Sequence, residues 1–387
     1  MLSRLSILLF TLSLATFGSL SASAQGDTRT DPEPERFFIL IQGYRAGALS
    51  GSGLSSSFGV QVADIGSANP AALGAFGEAV AGLSYRVETA IGEGYLAGIG
   101  YGPRNSVRPQ SASVAVPVGA FTLGLSYAQR YAAEMQFEPI PTPPEIDPTL
   151  EFEASFASRL ETISPQAAYR TTLKGGGVLA IGLRLGIGYA SFERTVDNLS
   201  AAFSGWGTQL AGGLTFRTEK VGWAVYGESA LRVEGEYDQV IASPPGDDSP
   251  DRVQSLPTAD ALPPRIGVSA EVAARQTLDL GIDAAWSFWT EAWDESGQDS
   301  GEVAAWGRLH LANDRTVSFG VLWQDRNRWG EVFNEVFDYS GRAIYLTLGG
   351  ALTLDRFRLN AVVADSRLLS GAEQRQTVVK LGASVQL

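Results

Sequence analysis

The chain has 387 residues, no cysteine, a single histidine and a formal net charge of −13. That balance excludes a disulfide-stapled fold, leaves little material for a transition-metal site and argues against nucleic acid as a partner. Charged residues make up 18% of the sequence while glycines number 44, which is low in charge for an ordinary soluble domain.

The first residues, "MLSRLSILLFTLSLATFGSLSASA", carry Arg4, an apolar run over 5–20 and a small-residue end at Ala22-Ser23-Ala24. This pattern predicts a cleaved secretory signal over 1–24, with Gln25 as the mature start and a short polar segment over 25–36. No later stretch has the ~20 continuous apolar residues that a membrane helix needs. No shift in composition marks a second domain.

Residues 37–77 contain "GSGLSSSFGVQVADIGSANPAAL", which is rich in Gly, Ser and Ala and nearly free of large side chains. It is too small-sided for a core helix and its glycines are too regular for a simple linker. Gly51 and Gly53 allow tight bends, Asp64 and Ser67 can bond local backbone donors, and Asn69-Pro70 reads as a sharp turn leading into the first strand.

From residue 79 onward the sequence alternates with period two, the mark of strands. Leu280, Ile282, Ala284 and Trp286 share one face against Asp279, Gly281, Asp283 and Ser287. Leu179, Ile181, Leu183, Leu185 and Ile187 do so against Gly182, Arg184, Gly186 and Gly188. About fourteen strands are expected: near 79–89, 110–118, 120–133, 163–173, 178–196, 203–217, 221–236, 263–276, 278–293, 302–313, 315–327, 339–352, 355–367 and 375–387. The stretch 92–103 also has strand character and is assigned to the first long hairpin, because an even count suits a bacterial barrel.

Tight connectors (118–121, 218–220, 276–279, 313–315, 353–356) alternate with longer polar ones (134–158, 197–203, 237–263, 294–301, 328–338, 368–373). A barrel crossing an outer membrane has this asymmetry, with short turns on the periplasmic side and long loops outside. Aromatic residues such as Tyr127, Tyr131, Tyr189, Trp223, Trp286, Phe288 and Trp323 suit an interfacial girdle. In the final strand Val379, Leu381, Ala383, Val385 and Leu387 share the outward face. The fold class is therefore all-β, a transmembrane antiparallel barrel over 78–387. A secreted soluble β-protein is the competing reading.

The glycine-rich run, the acidic Asp64 and "SANPAAL" just before the first strand resemble the N-terminal hatch of the FadL/TodX long-chain fatty acid transporter family. That resemblance implies a fourteen-stranded barrel with 37–77 folded in the lumen as a hatch. Asn69, Pro70, Ala71 and Leu73 correspond to the family's Asn-Pro-Ala-x-Leu turn. It further implies passive uptake of hydrophobic small molecules, with outer-membrane lipid and the barrel-assembly machinery as partners. The chain departs from the family at 197–203, a short connector where the transporters have a long capture loop. Barrels of this type also serve as non-transporting components of protein secretion or surface attachment, with secretion-system proteins as partners. The sequence leaves that alternative open.

Polar residues predicted to line the lumen include Arg86, Arg130, Arg184, Arg232, Glu271, Arg308 and Arg358. Mixed signs favour ion pairs that hold the hatch, with one or two arginines available to a carboxylate head group. His310 stands alone with no serine signature, so no catalytic residues are expected. No cofactor or metal site is expected, and the glycine run lacks the Lys-Ser/Thr ending of a phosphate loop.

Overall fold

The computed structural model describes Ser55 and residues 57–91, 94–96, 99–101, 104–136, 140–141, 151–152, 154–196, 199–241, 252–293, 299–312, 314–325, 342–366 and 375–387. The expected signal over 1–24, the segment 25–36 and the first half of the expected hatch, with Gly51 and Gly53, lie outside the described residues. Among the described residues no helix is long and apolar enough to cross a membrane.

Strands dominate because the period-two pattern gives each stretch two unlike faces. The first strands are β1 (Val80–Ile91), β2 (Gly94–Leu96), β3 (Ile99–Tyr101), β4 (Arg104–Val118) and β5 (Phe121–Gln136). There follow β6 (Ile140–Pro141), β7 (Glu151–Phe152), β8 (Ala154–Thr172), β9 (Val178–Val196) and β10 (Leu199–Arg217). Next come β11 (Val221–Glu228), β12 (Leu231–Ile241), β13 (Arg252–Leu262), β14 (Arg265–Arg275) and β15 (Leu278–Ser287). The last are β16 (Ser300–Leu311), β17 (Arg315–Asp325), β18 (Arg342–Leu354), β19 (Phe357–Asp365) and β20 (Arg375–Gln386).

Sixteen of these form one antiparallel sheet that closes on itself, since β1 pairs with β20 and β10 pairs with β11. The wall has fourteen positions, because β11 with β12, and β13 with β14, each share one. The ambiguous stretch 92–103 supplies β2 and β3, which pair only with one another, as β6 and β7 do.

The two faces of the wall differ as the alternation requires. In β9, Ala180, Arg184 and Ala190 are buried, while Ile181, Leu183, Leu185 and Ile187 are 40–68% exposed on the outside. So continuous an apolar exterior is stable in lipid rather than water. Phe121 packs on Tyr169 and Phe216 on Trp223 beside the short turns, whereas Tyr189 and Trp206 stack far from them, with ring centroids 4.8 Å apart. Aromatic pairs thus stand toward both ends of the apolar band, where amphipathic rings suit the lipid–water boundary.

Besides a register shift at Ala274 between β14 and β15, three irregularities of the wall bear on what lies inside it. Ser229, Ala230 and Leu231 oppose only Gln209 and Leu210 of β10, which makes a bulge between β11 and β12. Its bonds are specific: Ser229 N donates to Leu210 O at 2.8 Å and Leu210 N donates to Ser229 Oγ at 3.0 Å. At Pro263-Pro264, where no backbone N–H exists to continue a ladder, β13 ends and β14 begins. The third irregularity lies between β4 and β5, whose ladder stops at Ser111 opposite Ala128. Beyond that pair β4 continues on β1 and β5 continues on β8, so the backbone ladder between them splits, with Gln110 Nε2 donating to Gln129 O at 2.8 Å across the start of the split. Extra residues sit at the split, Gln110 in β4 and Arg130 in β5, at the two register shifts.

Candidate functional site

Segment 57–76 lies within the ring of strands. Its two 3-10 turns, Val62–Asp64 and Pro70–Ala75, contact β1, β4, β5, β8, β9, β10 and β20. Nearly every residue from 61 to 74 is buried. The segment's small side chains let its backbone approach the wall, and that close approach is met by glycines of the wall itself. A Cβ at Gly182 would collide with the Pro70 backbone, and one at Gly213 with Asn69 Oδ1. Gly82, Gly124 and Gly222 stand likewise against Val62, Leu73 and Phe58.

Asn69 and Pro70 do not form a turn into the first strand, as the sequence suggested. Asn69 is the N-cap of Pro70–Ala75, its Oδ1 accepting from Ala71 N at 2.9 Å, with Pro70 at the first helical position. Its amide nitrogen faces the wall, 3.4 Å from both Leu214 O and Val225 O, and 3.2 Å from Ser57 Oγ. Ala71 and Leu73 are fully buried beneath it. Asp64 also reaches the wall. Its carboxylate accepts from Lys380 Nζ at 2.5 Å and Ser111 Oγ at 3.1 Å. Ser67 stays local, donating to Asp64 O at 3.2 Å.

A second anchor centres on Glu228, the last residue before the β11–β12 bulge. Its Oε1 accepts from Arg184 at 2.6 Å and its Oε2 from Arg130 at 2.9 Å. Arg184 also donates to Ile65 O at 3.2 Å and Ala68 O at 2.6 Å, while Arg130 reaches Gly66 O at 3.4 Å. One carboxylate between two arginines leaves a net positive charge, which a buried site tolerates because the remaining N–H groups find carbonyls. One carboxylate therefore joins the inner segment, the bulge and the split edge of β5.

A third anchor uses Asp283, which accepts from Ser55 Oγ at 3.1 Å, Ser269 Oγ at 2.5 Å and Trp306 Nε1 at 2.7 Å. Nearby, Arg308 donates to Phe58 O at 3.2 Å. Glu271 is buried and pairs with Arg217 at 2.8 Å. Arg86 is buried on the inner face of β1, and Arg358 is half-buried on that of β19. His310 bonds Asp279 at 2.7 Å, with no serine nucleophile beside it among the described contacts.

Arg232 is a correction. Its side chain is 64% exposed and pairs with Glu234 on the outer face of β12. The bulge is the reason: inward residues of β11 are even-numbered up to Glu228, and after the extra residue they are Leu231, Val233 and Tyr237. A one-residue insertion transfers every following side chain to the other face. The buried partners of those three residues were not seen in the sequence. Leu160, Phe192, Phe203, Leu262 and Trp289 join them in an apolar cluster inside the lumen, on the long-connector side of Glu228.

Neither a family model nor a curated protein sequence matches the chain. Solved structures do. The Pseudomonas putida toluene transporter TodX superposes with a TM-score of 0.60 at 17% identity, over 89% of this chain and 97% of TodX. The CymD monoaromatic hydrocarbon channel gives 0.61 at 14% identity, over 90% and 98% of the two chains. A Pseudomonas aeruginosa FadL homologue gives 0.57 at 12% identity, over 92% and 99%. The fold is that of the FadL/TodX-type channels. Within this FadL/TodX-type barrel, the inner segment, the Glu228 anchor and the luminal apolar cluster constitute the candidate site.

Proposed function

We propose that the chain is an outer-membrane channel for passive uptake of hydrophobic small molecules, with segment 37–77 as its hatch. The observation that carries this reading is the apolar cluster of Leu160, Phe192, Phe203, Leu231, Val233, Tyr237 and Trp289 inside a barrel. A water-filled pore has a polar interior, whereas aromatic and aliphatic walls solvate an apolar solute. TodX is a toluene transporter and CymD a monoaromatic hydrocarbon channel. Their shared fold supports a hydrophobic cargo, aromatic hydrocarbons and fatty acids alike.

The exit follows from the split between β4 and β5. A hydrophobic solute gains nothing by entering the aqueous periplasm and is stabilised in lipid. A lateral gap in the wall therefore suits it better than an axial pore. Arg130 stands at that gap and bonds the hatch, so movement of the hatch and widening of the gap are mechanically joined.

The test is uptake of labelled toluene and decanoate by cells carrying the protein. Its cysteine-free sequence permits paired cysteines at Arg108 and Tyr131, either side of the split. Uptake in the untreated pair, falling at least tenfold on thiol cross-linking, is expected. Uptake unchanged by cross-linking would remove the lateral route. No uptake of either solute by the unmodified protein would overturn the channel and favour the secretion-component reading.

A further inference from the structure

The apolar cluster on the long-connector side of Glu228 is closed as it stands. None of its ten buried members is more than 5% exposed, so a solute can lodge among them only if one member leaves. Nine of the ten stand on β8, β9, β10, β12 and β13. The ladders run through the cluster itself, with Phe203 opposite both Phe192 and Tyr237, and Leu231 opposite Leu262. Moving any of these means breaking backbone bonds of the wall. The tenth member is Trp289, which opens a one-turn helix, Trp289–Trp293, between β15 and β16. That turn belongs to no ladder. At its foot Phe288 N donates to Pro264 O at 3.0 Å. Thr290 N and Oγ1 donate to Asp299 Oδ1 at 3.1 and 2.8 Å, and Trp289 Nε1 donates to Ser300 Oγ at 3.1 Å. These bonds tie the turn to the far limb of its own connector, while the indole is buried among apolar side chains of the facing wall.

From this arrangement we infer that Trp289 is a resident stand-in for cargo. Its indole fills the apolar site from the long-connector side, and a flat aromatic hydrocarbon of up to two fused rings enters by taking its place. One planar apolar group then replaces another, so the burial of the cluster is conserved. The cost of the exchange is the opening of the turn. Thr290 is exposed, so its bonds to Asp299 are remade with water at a small net loss. Local opening falls on elements held by such solvent-facing bonds, and a solute that binds only the open form raises its population. The site is thus occupied by either the ring or the solute, and the lumen stays shut to water until cargo arrives. The inference rests on the channel reading and narrows it, naming the residue that admits cargo and the shape of cargo it admits.

Fluorine NMR of the full-length protein in lipid nanodiscs tests it, with the eight tryptophans carried as 5-fluorotryptophan and naphthalene as the probe. Trp289→Phe assigns the Trp289 signal. Without naphthalene that signal should not respond to exchange of water for heavy water, and with naphthalene it should become responsive in a saturable way. Asp299→Ala lies outside the wall ladders and removes both Thr290 bonds. It should lower the half-saturating naphthalene by about threefold or more. Decane, apolar but not planar, should be needed at about tenfold higher concentration than naphthalene. A Trp289 signal that stays shielded at saturating naphthalene overturns the inference. So does an equal response to decane, which would mark a softened bilayer rather than occupation of the ring's place. An unchanged midpoint in Asp299→Ala overturns it too, because the turn would then not move with the ring. Toluene uptake, measured separately, keeps the two readings apart. Toluene passage with Trp289 still shielded sinks the stand-in alone, and displacement of Trp289 without toluene passage sinks the channel alone.

Discussion

Asn69 shows how much one side chain can fix. Its Oδ1 caps Pro70–Ala75 and its Nδ2 points at two wall carbonyls, so a single amide joins a helix end to β10 and β11. Replacement by alanine forfeits the cap and the wall bonds, a cost of about 1–3 kcal/mol. Gly182→Val acts from the other side by filling the space occupied by the Pro70 backbone. Both variants should keep the barrel, seen as the usual heat-dependent shift in gel mobility, while segment 57–76 becomes cleavable by protease, Gly182→Val more so. Protection equal to wild type in both would show that the segment is held elsewhere. The sequence singled out Asn69, Pro70 and Asp64 as a motif but did not show their partners. Their bonds run to residues more than 40 positions away, such as Ser111 and Leu214, and no local pattern encodes that. Glycines of the inner segment do allow the close approach, as Gly59 against Arg308 and Gly66 against Ser126 show, but the wall glycines opposite make room as well, and in an alternating strand they look like any other small residue.

At the scale of elements, the bulge over Ser229–Ala230 decides which face of β12 is apolar. Above it Leu231, Val233 and Tyr237 face the lumen, and Arg232, Glu234 and Glu236 face outward. Deleting Ser229 leaves two residues opposite Gln209 and Leu210, so pairing with β10 is unbroken and Leu231, Val233 and Tyr237 stay inward. Leu231→Arg instead puts a charge among Leu160, Phe192 and Phe203, at a cost of several kcal/mol. The deletion should therefore still assemble into the heat-shifting form, whereas Leu231→Arg should not. Loss of assembly in the deletion would mean that the bulge and its Ser229–Leu210 bonds are themselves needed to build the wall. Strand number and inward parity were legible over most of the chain because alternation is a local signal. Bulges are not, since "GESALRVEGEY" reads through Ser229 and Ala230 without a break. Arg232 was misplaced for that reason alone, and the end of the β4–β5 ladder at Ser111 was hidden in the same way, because it is marked by two further extra residues, Gln110 and Arg130.

At the scale of the whole molecule, Glu228 joins features that lie far apart in the wall. Arg184 on β9 and Arg130 at the split edge of β5 both bond its carboxylate, and both also hold carbonyls of the inner segment. While that carboxylate is charged, the segment, the bulge and the split are held as one unit. Glu228→Gln keeps the shape but removes the negative charge shared by two largely buried cations, a loss on the order of 3–5 kcal/mol for a buried pair. The barrel ladders do not use this side chain, so assembly should be normal. What should change is the closure of the lumen: in planar bilayers the wild type should be nearly silent to small ions, and Glu228→Gln should show frequent openings. Lys380→Met removes the cation that faces Asp64 on the opposite side of the segment, 2.5 Å away, and should open less often, because it leaves the Arg130 link to the split intact. Equal opening rates in the two variants would mean that any loosening of the segment suffices and that the wall split has no part in gating. A silent Glu228→Gln would mean that the segment stays in place without its central charge, and the gate would then have to be sought among the long connectors.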